Sequence, residues 1–148
     1  MPHIKGSIVI DRPIEEVFDF VLDARHEPLY NSEMLRSEKL TDGPVGAGTK
    51  FRSCHRQGRR SVEMDIEVTH CDRPHRMASR TTMSWSEING EMRFEFVGNS
   101  TRMRWDWDVR LKGHMRALTP LAGFIGRRQE RACWEGLKRY VEGHPAPA

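Results

Sequence analysis

The chain has 148 residues, of which 37% are apolar and 30% charged, and its formal charge is +3. That length and apolar fraction fit one domain with its own core and exclude a disordered chain. Acids and bases are interspersed, so the mild basicity is a weak argument for nucleic acid, and no nucleic-acid partner is expected.

No run approaches the roughly 20 apolar residues of a membrane helix, so no membrane span is expected. The start, MPHIKGSIVI, has no charged head followed by an apolar core, and no secretory signal is expected. Cys54, Cys71 and Cys133 are scattered, odd in number and without a CxxC pair. They form no disulfide framework, which suits a reducing cytoplasm.

Ile4, Ile8 and Ile10 mark a first strand, with Gly6 as a bend. DRPIEEVFDFVLD follows as a helix: Pro13 suits its first position, Glu15 and Glu16 suit its positive end, and Ile14, Val17, Phe18, Val21 and Leu22 make a helical stripe. Asp11 is a candidate cap. ARHEPLYNS, broken by Pro28, is a half-helix or turn leading to Tyr30. Residues 33–40 form a weakly patterned strand, and DGPVGAG is a loop.

Strand then follows strand. The third covers 49–56. In the fourth, Val62, Met64, Ile66 and Val68 alternate with charged residues. Met77, Ser79, Thr81, Met83 and Trp85 form one face of the fifth, Met92, Phe94 and Phe96 one face of the sixth, and Met103, Trp105, Trp107, Val109 and Leu111 one face of the seventh. Turn signals at Gly58, Arg73-Pro74, Asn89-Gly90 and Gly98-Asn99 separate them at hairpin spacing.

The last element is a long amphipathic helix, Pro120 to Glu142. At about 100° per residue, Ala122, Ile125, Gly126, Gln129, Cys133, Gly136, Leu137 and Tyr140 share one side, with Arg and Lys opposite. The buried side is poor in Leu and Ile and rich in small residues. Strands joined by short turns make an antiparallel sheet, apolar on one face, and the final helix is its one large cover. The pattern predicts an α+β roll around one helix, a single domain over 1–143 with a flexible tail at 144–148.

The opening IDRPIEEVFDFVLDARHEPLYN resembles the start of polyketide cyclase/dehydrase-like (SRPBCC) proteins of the START/Bet v 1-like superfamily. PVGAGTKFR resembles their turn into the third strand, and RRQERACWEGLKRYVE is similar to their final helix. The resemblance spans about the whole chain. It implies a helix-grip fold: a curved seven-stranded antiparallel sheet around a long C-terminal helix, with two short helices after the first strand. It also implies a cavity between sheet and helix, but no single activity, because members include cyclases, lipid and hormone carriers. Many relatives carry Trp before the second strand, where this chain has Tyr30.

The expected cavity wall joins Met64, Thr81, Met83, Met92, Phe94, Trp105 and Trp107 of the sheet to Cys133 and Gln129 of the helix. These side chains could equally interlock as ordinary core. Met suits ligands of varied shape, and ligand sites are mostly apolar with few polar groups. Gln129 is the expected polar handle on the helix, satisfied by a strand hydroxyl, water or ligand. His55 could be a cavity histidine or a strand-end one. His70 follows Val68 on the buried parity. Tyr30 could sit at the cavity mouth or anchor the broken helix.

No His/Cys/Asp/Glu set has metal-ligand spacing, and no GxSxG, P-loop or dinucleotide fingerprint is present. No metal and no cofactor are expected. Asp106 and Asp108 alternate with Trp105 and Trp107 and belong to an outward charge ladder with Arg93, Glu95, Arg104 and Arg110.

Three functions compete. The first, favoured, is binding or transport of a hydrophobic small molecule, lipid or polyketide-like. The second is a polyketide cyclase/dehydratase-type enzyme using the same cavity, with His55, Tyr30 or water on Gln129 moving protons; whether the protein is an enzyme stays open. The third, a partner-binding module, requires an exposed apolar patch that the charged outer faces do not offer. A homodimer is left open. The glycines Gly123, Gly126 and Gly136 weaken the final helix and are expected to let it shift.

Overall fold

The structure is a computed structural model and describes residues 3–144; the expected tail lies outside these residues, apart from His144. Seven strands form one antiparallel sheet: β1 (His3–Ile10), β2 (Met34–Lys39), β3 (Lys50–Gln57), β4 (Arg60–Asp72), β5 (Arg76–Met83), β6 (Ser86–Val97) and β7 (Ser100–Leu111). Their order is β1-β7-β6-β5-β4-β3-β2. Each strand after β2 is thus a hairpin partner of the one before it, and β1 joins the free edge of β7. Between β1 and β2 lie α1 (Ile14–Leu22) and a 3-10 helix (Ala24–Leu29). After β7 come a second 3-10 helix (Gly113–Leu118) and α2 (Thr119–Gly143). This is the helix-grip architecture, with one short helix more than the pattern predicts.

Alternation decides which side chains face inward. Met103, Trp105, Trp107, Val109 and Leu111 of β7 stand beside Met92 and Phe94 of β6, through the pairs Met92↔Trp105 and Phe94↔Met103. Arg104, Arg110, Glu95 and Arg93 face out and are exposed. The Arg104–Glu95 and Arg93–Glu91 ion pairs, 2.9 and 3.1 Å, lie on that outer ladder. The main core joins β1, β5, β6 and β7 to α1 and α2, with Ile10, Ile14, Val17, Phe18, Met103 and Leu137 fully buried. Phe18 of α1 meets Phe94 edge-on at 5.1 Å.

Four details differ from the pattern. The turn between β5 and β6 falls at Ser84-Trp85, and Asn89 and Gly90 lie within β6. Gly90 is there because a Cβ would come 2.0 Å from the Asp106 carbonyl oxygen and 2.8 Å from the Trp107 ring; a close approach needs Gly as much as a turn does. In β4 the register shifts between Val68 and His70. This bulge turns His70 outward and Cys71 inward, against the simple parity. Phe96, expected on the concave face, is 63% exposed; β6 there runs past the start of β5, whose pairing ends at Arg76↔Arg93. Asp11 does not cap α1, whose N-cap Pro13 has no side-chain bond; its carboxylate accepts from Ser100 Oγ at 3.0 Å instead.

α2 approaches the sheet closest along β1. A Cβ at Gly126 would lie 2.4 Å from Ile4 Cδ1, and one at Gly136 would lie 2.3 Å from the Tyr30 carbonyl oxygen. The small residues of the helix are therefore landing points for β1 and for the end of the first 3-10 helix.

Candidate ligand-binding site

On the concave face, the strands furthest from α2 keep uncovered surface. Val62, Ile66, Ser79, Thr81 and Ile88 point inward by register, yet each is only partly buried. Beyond them Met34, Met64 and Met83 form a second, smaller buried cluster, flanked by Val62, Trp85 and Ile88. The concave face thus holds two apolar clusters with less covered surface between them.

A polar centre stands at the helix side of this space. Glu130 of α2 accepts from Trp107 Nε1 at 3.0 Å and from Trp134 Nε1 at 2.7 Å, both on Oε2. One indole comes from β7 and the other from the next turn of α2, so the carboxyl links helix to sheet. Glu27, on the first 3-10 helix, accepts from Asn31 Nδ2 at 3.0 Å. Glu27, Tyr30 and Glu130 are surrounded by protein and still keep partial accessible surface. Aromatic rings enclose the centre: Tyr30 lies 6.1 Å from Trp134, and Trp134 lies 6.0 Å from Trp105, between ring centroids.

Burial controls the titration of this centre. It pushes the Glu27 carboxyl up to about 7, against the lowering effect of the Asn31 amide, and the Glu130 charge adds to the rise. Burial likewise raises Glu130, while the Trp134 and Trp107 indoles hold it lower than burial alone would. The Tyr30 hydroxyl and the Cys133 thiol are both driven well up, by burial first and then by the nearby carboxylates. Cys133 is therefore a neutral thiol at physiological pH and no nucleophile. Glu27 is poised to gain or lose a proton near neutrality, as a general acid or base must be.

The residues singled out from the sequence fall into separate groups. Tyr30, Trp107 and Cys133 belong to the Glu27–Glu130 centre. Met92, Phe94 and Trp105 are buried in the main core, Met64 and Met83 in the second cluster. Thr81 lies on the partly uncovered strip between them. His55 faces inward beside Met34 and Val62, with Nδ1 buried and without a hydrogen-bond partner among the described residues. Its imidazole is held below its ordinary pKa by burial, although Glu33 acts the other way. Gln129 is exposed. The buried side of α2 runs through Gly123, Cys133, Trp134, Gly136, Leu137 and Val141, so Cys133, Gly136 and Leu137 lie on the expected side while Glu130, partly buried, takes the place expected of Gln129. One residue is about 100° of rotation; the helix is turned by part of one such step, with Cys133, Gly136 and Leu137 still inside, and the polar side chain on its inner face is Glu130.

Glu27 and Glu130 were not legible as site residues because an isolated Glu is read as solvent-exposed. The available signal was Trp134, four residues after Glu130 and one turn along the same face, with an indole N–H that needs an acceptor when buried. Glu27 and Asn31 stand at the same spacing.

Two open depressions lined mainly by outward-facing residues are of a different kind. One of about 720 Å³ is lined by Lys5, Arg93, Arg104 and Asp106 among others, and one of about 320 Å³ by Lys50, Arg52, Asp65 and Arg80 among others. They lie over the charge ladders, and neither is lined by Glu27 or Glu130.

Residues 1–142 match the family described as Polyketide cyclase / dehydrase and lipid transport. Among solved structures, TTHA0849 from Thermus thermophilus superposes with a TM-score of 0.81 at 18% identity, covering 98% of this chain and 100% of that one. A START superfamily protein from Mycobacterium smegmatis also gives 0.81, at 15% identity over 97% and 99% of the two chains. StfQ, a di-domain ARO/CYC from the steffimycin biosynthetic pathway, gives 0.72 at 16% identity, covering 95% of this chain and 44% of that one. No curated protein sequence matches.

Proposed function

The chain belongs to the polyketide cyclase/dehydrase and lipid transport family, and we propose from that premise that it binds a hydrophobic small molecule on the concave face, beneath α2. The observation that carries this reading is the incomplete cover of that face. Val62, Ile66, Ser79, Thr81 and Ile88 point inward and keep accessible surface, beside a buried acidic centre whose groups also keep theirs. Apolar walls with a few convergent polar groups are what a small-molecule site requires. Trp107, Met83 and Thr81 would contact the body of the ligand, and Tyr30, Glu27 and Glu130 would orient its polar end. With two buried carboxyls and no paired base at that end, the site disfavours fatty acids and other anions and suits neutral ligands with hydrogen-bond donors.

Native mass spectrometry of gently purified protein tests this, together with thermal shift against neutral aromatic polyketide-like compounds, sterols and fatty acids. Bound apolar mass and a rise in melting temperature with the neutral compounds are expected. Repeated preparations without bound mass and without any shift would remove the reading.

A second reading, a cyclase or dehydratase, is favoured by Glu27 alone. A carboxyl titrating at about 7 could take a proton from one carbon and return it to an oxygen of a folded substrate. For a turned-over ligand, Glu27→Gln leaves affinity within a few-fold and lowers the rate by roughly 100-fold or more; unchanged turnover excludes Glu27 as the base.

A further inference from the structure

α2 carries a second apolar face that the fold does not use. Leu121, Phe124 and Ile125 are 53%, 55% and 43% exposed, and Leu118 just before them is 44% exposed. At about 100° per residue, Leu121, Phe124 and Ile125 lie on the side of the helix roughly opposite Gly123, Glu130, Trp134 and Leu137, which face the sheet. This stripe is therefore no mouth of the interior site. It also overturns the expectation of uniformly charged outer faces, because the rotation of α2 brings Ile125 outward.

The charge around the stripe has one sign. From Val109 to Gln129 the chain contains five Lys or Arg and no Asp or Glu. Arg116, Arg127, Arg128 and Arg131 are all exposed. Some exposed guanidiniums elsewhere find carboxylates, as in Arg73–Asp19 at 2.7 Å and Arg52–Asp65 at 3.0 Å, while Arg36, Arg56, Arg59, Arg60, Arg110 and Arg139 are exposed without one among the described residues. None of the four arginines around the stripe has a carboxylate within ion-pair distance among the described residues. Arg128 and Arg131 continue the Leu121–Phe124–Ile125 face by one more turn.

We propose that the second 3-10 helix and the first two turns of α2 dock on an anionic lipid surface. Leu118, Leu121, Phe124 and Ile125 would enter the headgroup boundary, and Arg116, Arg127, Arg128 and Arg131 would meet phosphates. A large apolar stripe flanked by basic residues on a helix lying in the interface plane has this chemistry. A second copy fits less well. Pairing the stripe with itself would bring two acid-free basic segments together. The proposal does not depend on what the concave face holds.

Vesicle co-sedimentation tests it, with full-length protein and phosphatidylcholine vesicles with or without phosphatidylglycerol. Binding is expected only with phosphatidylglycerol, falling as salt rises. Leu121→Asp with Phe124→Asp abolishes it. Arg127→Gln with Arg128→Gln lowers the partition coefficient by roughly tenfold or more. The melting temperature of each variant shows that it is folded, and Leu121→Ser with Phe124→Ser replaces any that is not. No binding to phosphatidylglycerol vesicles overturns the proposal. So does equal binding to both vesicle types, or binding that the folded variants retain. A dimer in sedimentation velocity that Leu121→Asp with Phe124→Asp disperses, without vesicle binding, assigns the face to a second copy instead.

Discussion

Two carboxyl groups set the chemistry of the interior. Glu27 has a folded-state pKa of about 7, against about 4.3 for an unperturbed Glu. A raised acid binds its proton more tightly when folded, so the folded state holds more protons than the unfolded one between those values. Stability is then highest below the unfolded pKa and falls as pH rises through the folded one. The shift bounds the loss at roughly 4 kcal/mol. Denaturant melts between pH 4 and pH 8 check this. Glu27→Gln, which keeps an oxygen for the Asn31 amide, flattens the profile and raises stability at pH 8; an unchanged slope would place the titration elsewhere. Glu130 behaves differently, because it satisfies two indole N–H groups. Glu130→Gln keeps an acceptor and stays within about 1 kcal/mol of the parent. Glu130→Leu leaves both donors bare and costs about 2 kcal/mol or more, read by urea unfolding followed through tryptophan fluorescence.

At the scale of elements, the glycines of α2 do two different things. The Gly136 position is blocked by backbone: a Cβ there would sit 2.3 Å from the Tyr30 carbonyl oxygen. Gly136→Ala pushes α2 away from the end of the first 3-10 helix and costs about 2 kcal/mol or more despite the better helix propensity of Ala. At Gly126 the obstacle is the tip of Ile4, a side chain that can rotate. Gly126→Ala therefore stays within about 1 kcal/mol of the parent, since the roughly 1 kcal/mol gain in propensity offsets the repacking. Thermal melts of the two variants separate the cases. Equal losses would mean that the glycines act by helix flexibility rather than by close approach. The same distinction explains Gly90, which has the residue type of a turn but serves packing within β6. A single sequence shows that a Gly is present; it does not show which backbone comes near it.

At the scale of the whole molecule, Val62, Ile66, Ser79, Thr81 and Ile88 keep accessible surface on the concave face between two apolar clusters. A ligand at the proposed site would bridge the sheet to α2 and the first 3-10 helix. Binding at 100 times the dissociation constant adds about 2.7 kcal/mol of stability. Amide exchange should slow in the first 3-10 helix and in α2 around Cys133 when a neutral apolar ligand is added. Slowing confined to the outer strands would place the ligand on the charged face.

The seven-stranded antiparallel sheet, the long closing helix and the family were all legible from residue pattern and motifs. Period-two and period-3.6 patterns repeat over many residues, and errors at one position average out. The sequence also placed Tyr30, Trp107 and Cys133 among the interior candidates. The tertiary structure decided what depends on a single residue's rotation or register. A rotation of α2 by part of one step replaced Gln129 by Glu130 and put Ile125 outside, one bulge turned His70 away and Cys71 in, and Asn89-Gly90 serves packing within β6 while the turn falls at Ser84-Trp85. The acidic centre belongs to this second class. Whether a Glu is solvated or buried is decided by partners such as Trp107, Trp134 and Asn31, and the fold alone brings β7, α2 and the first 3-10 helix to the same place.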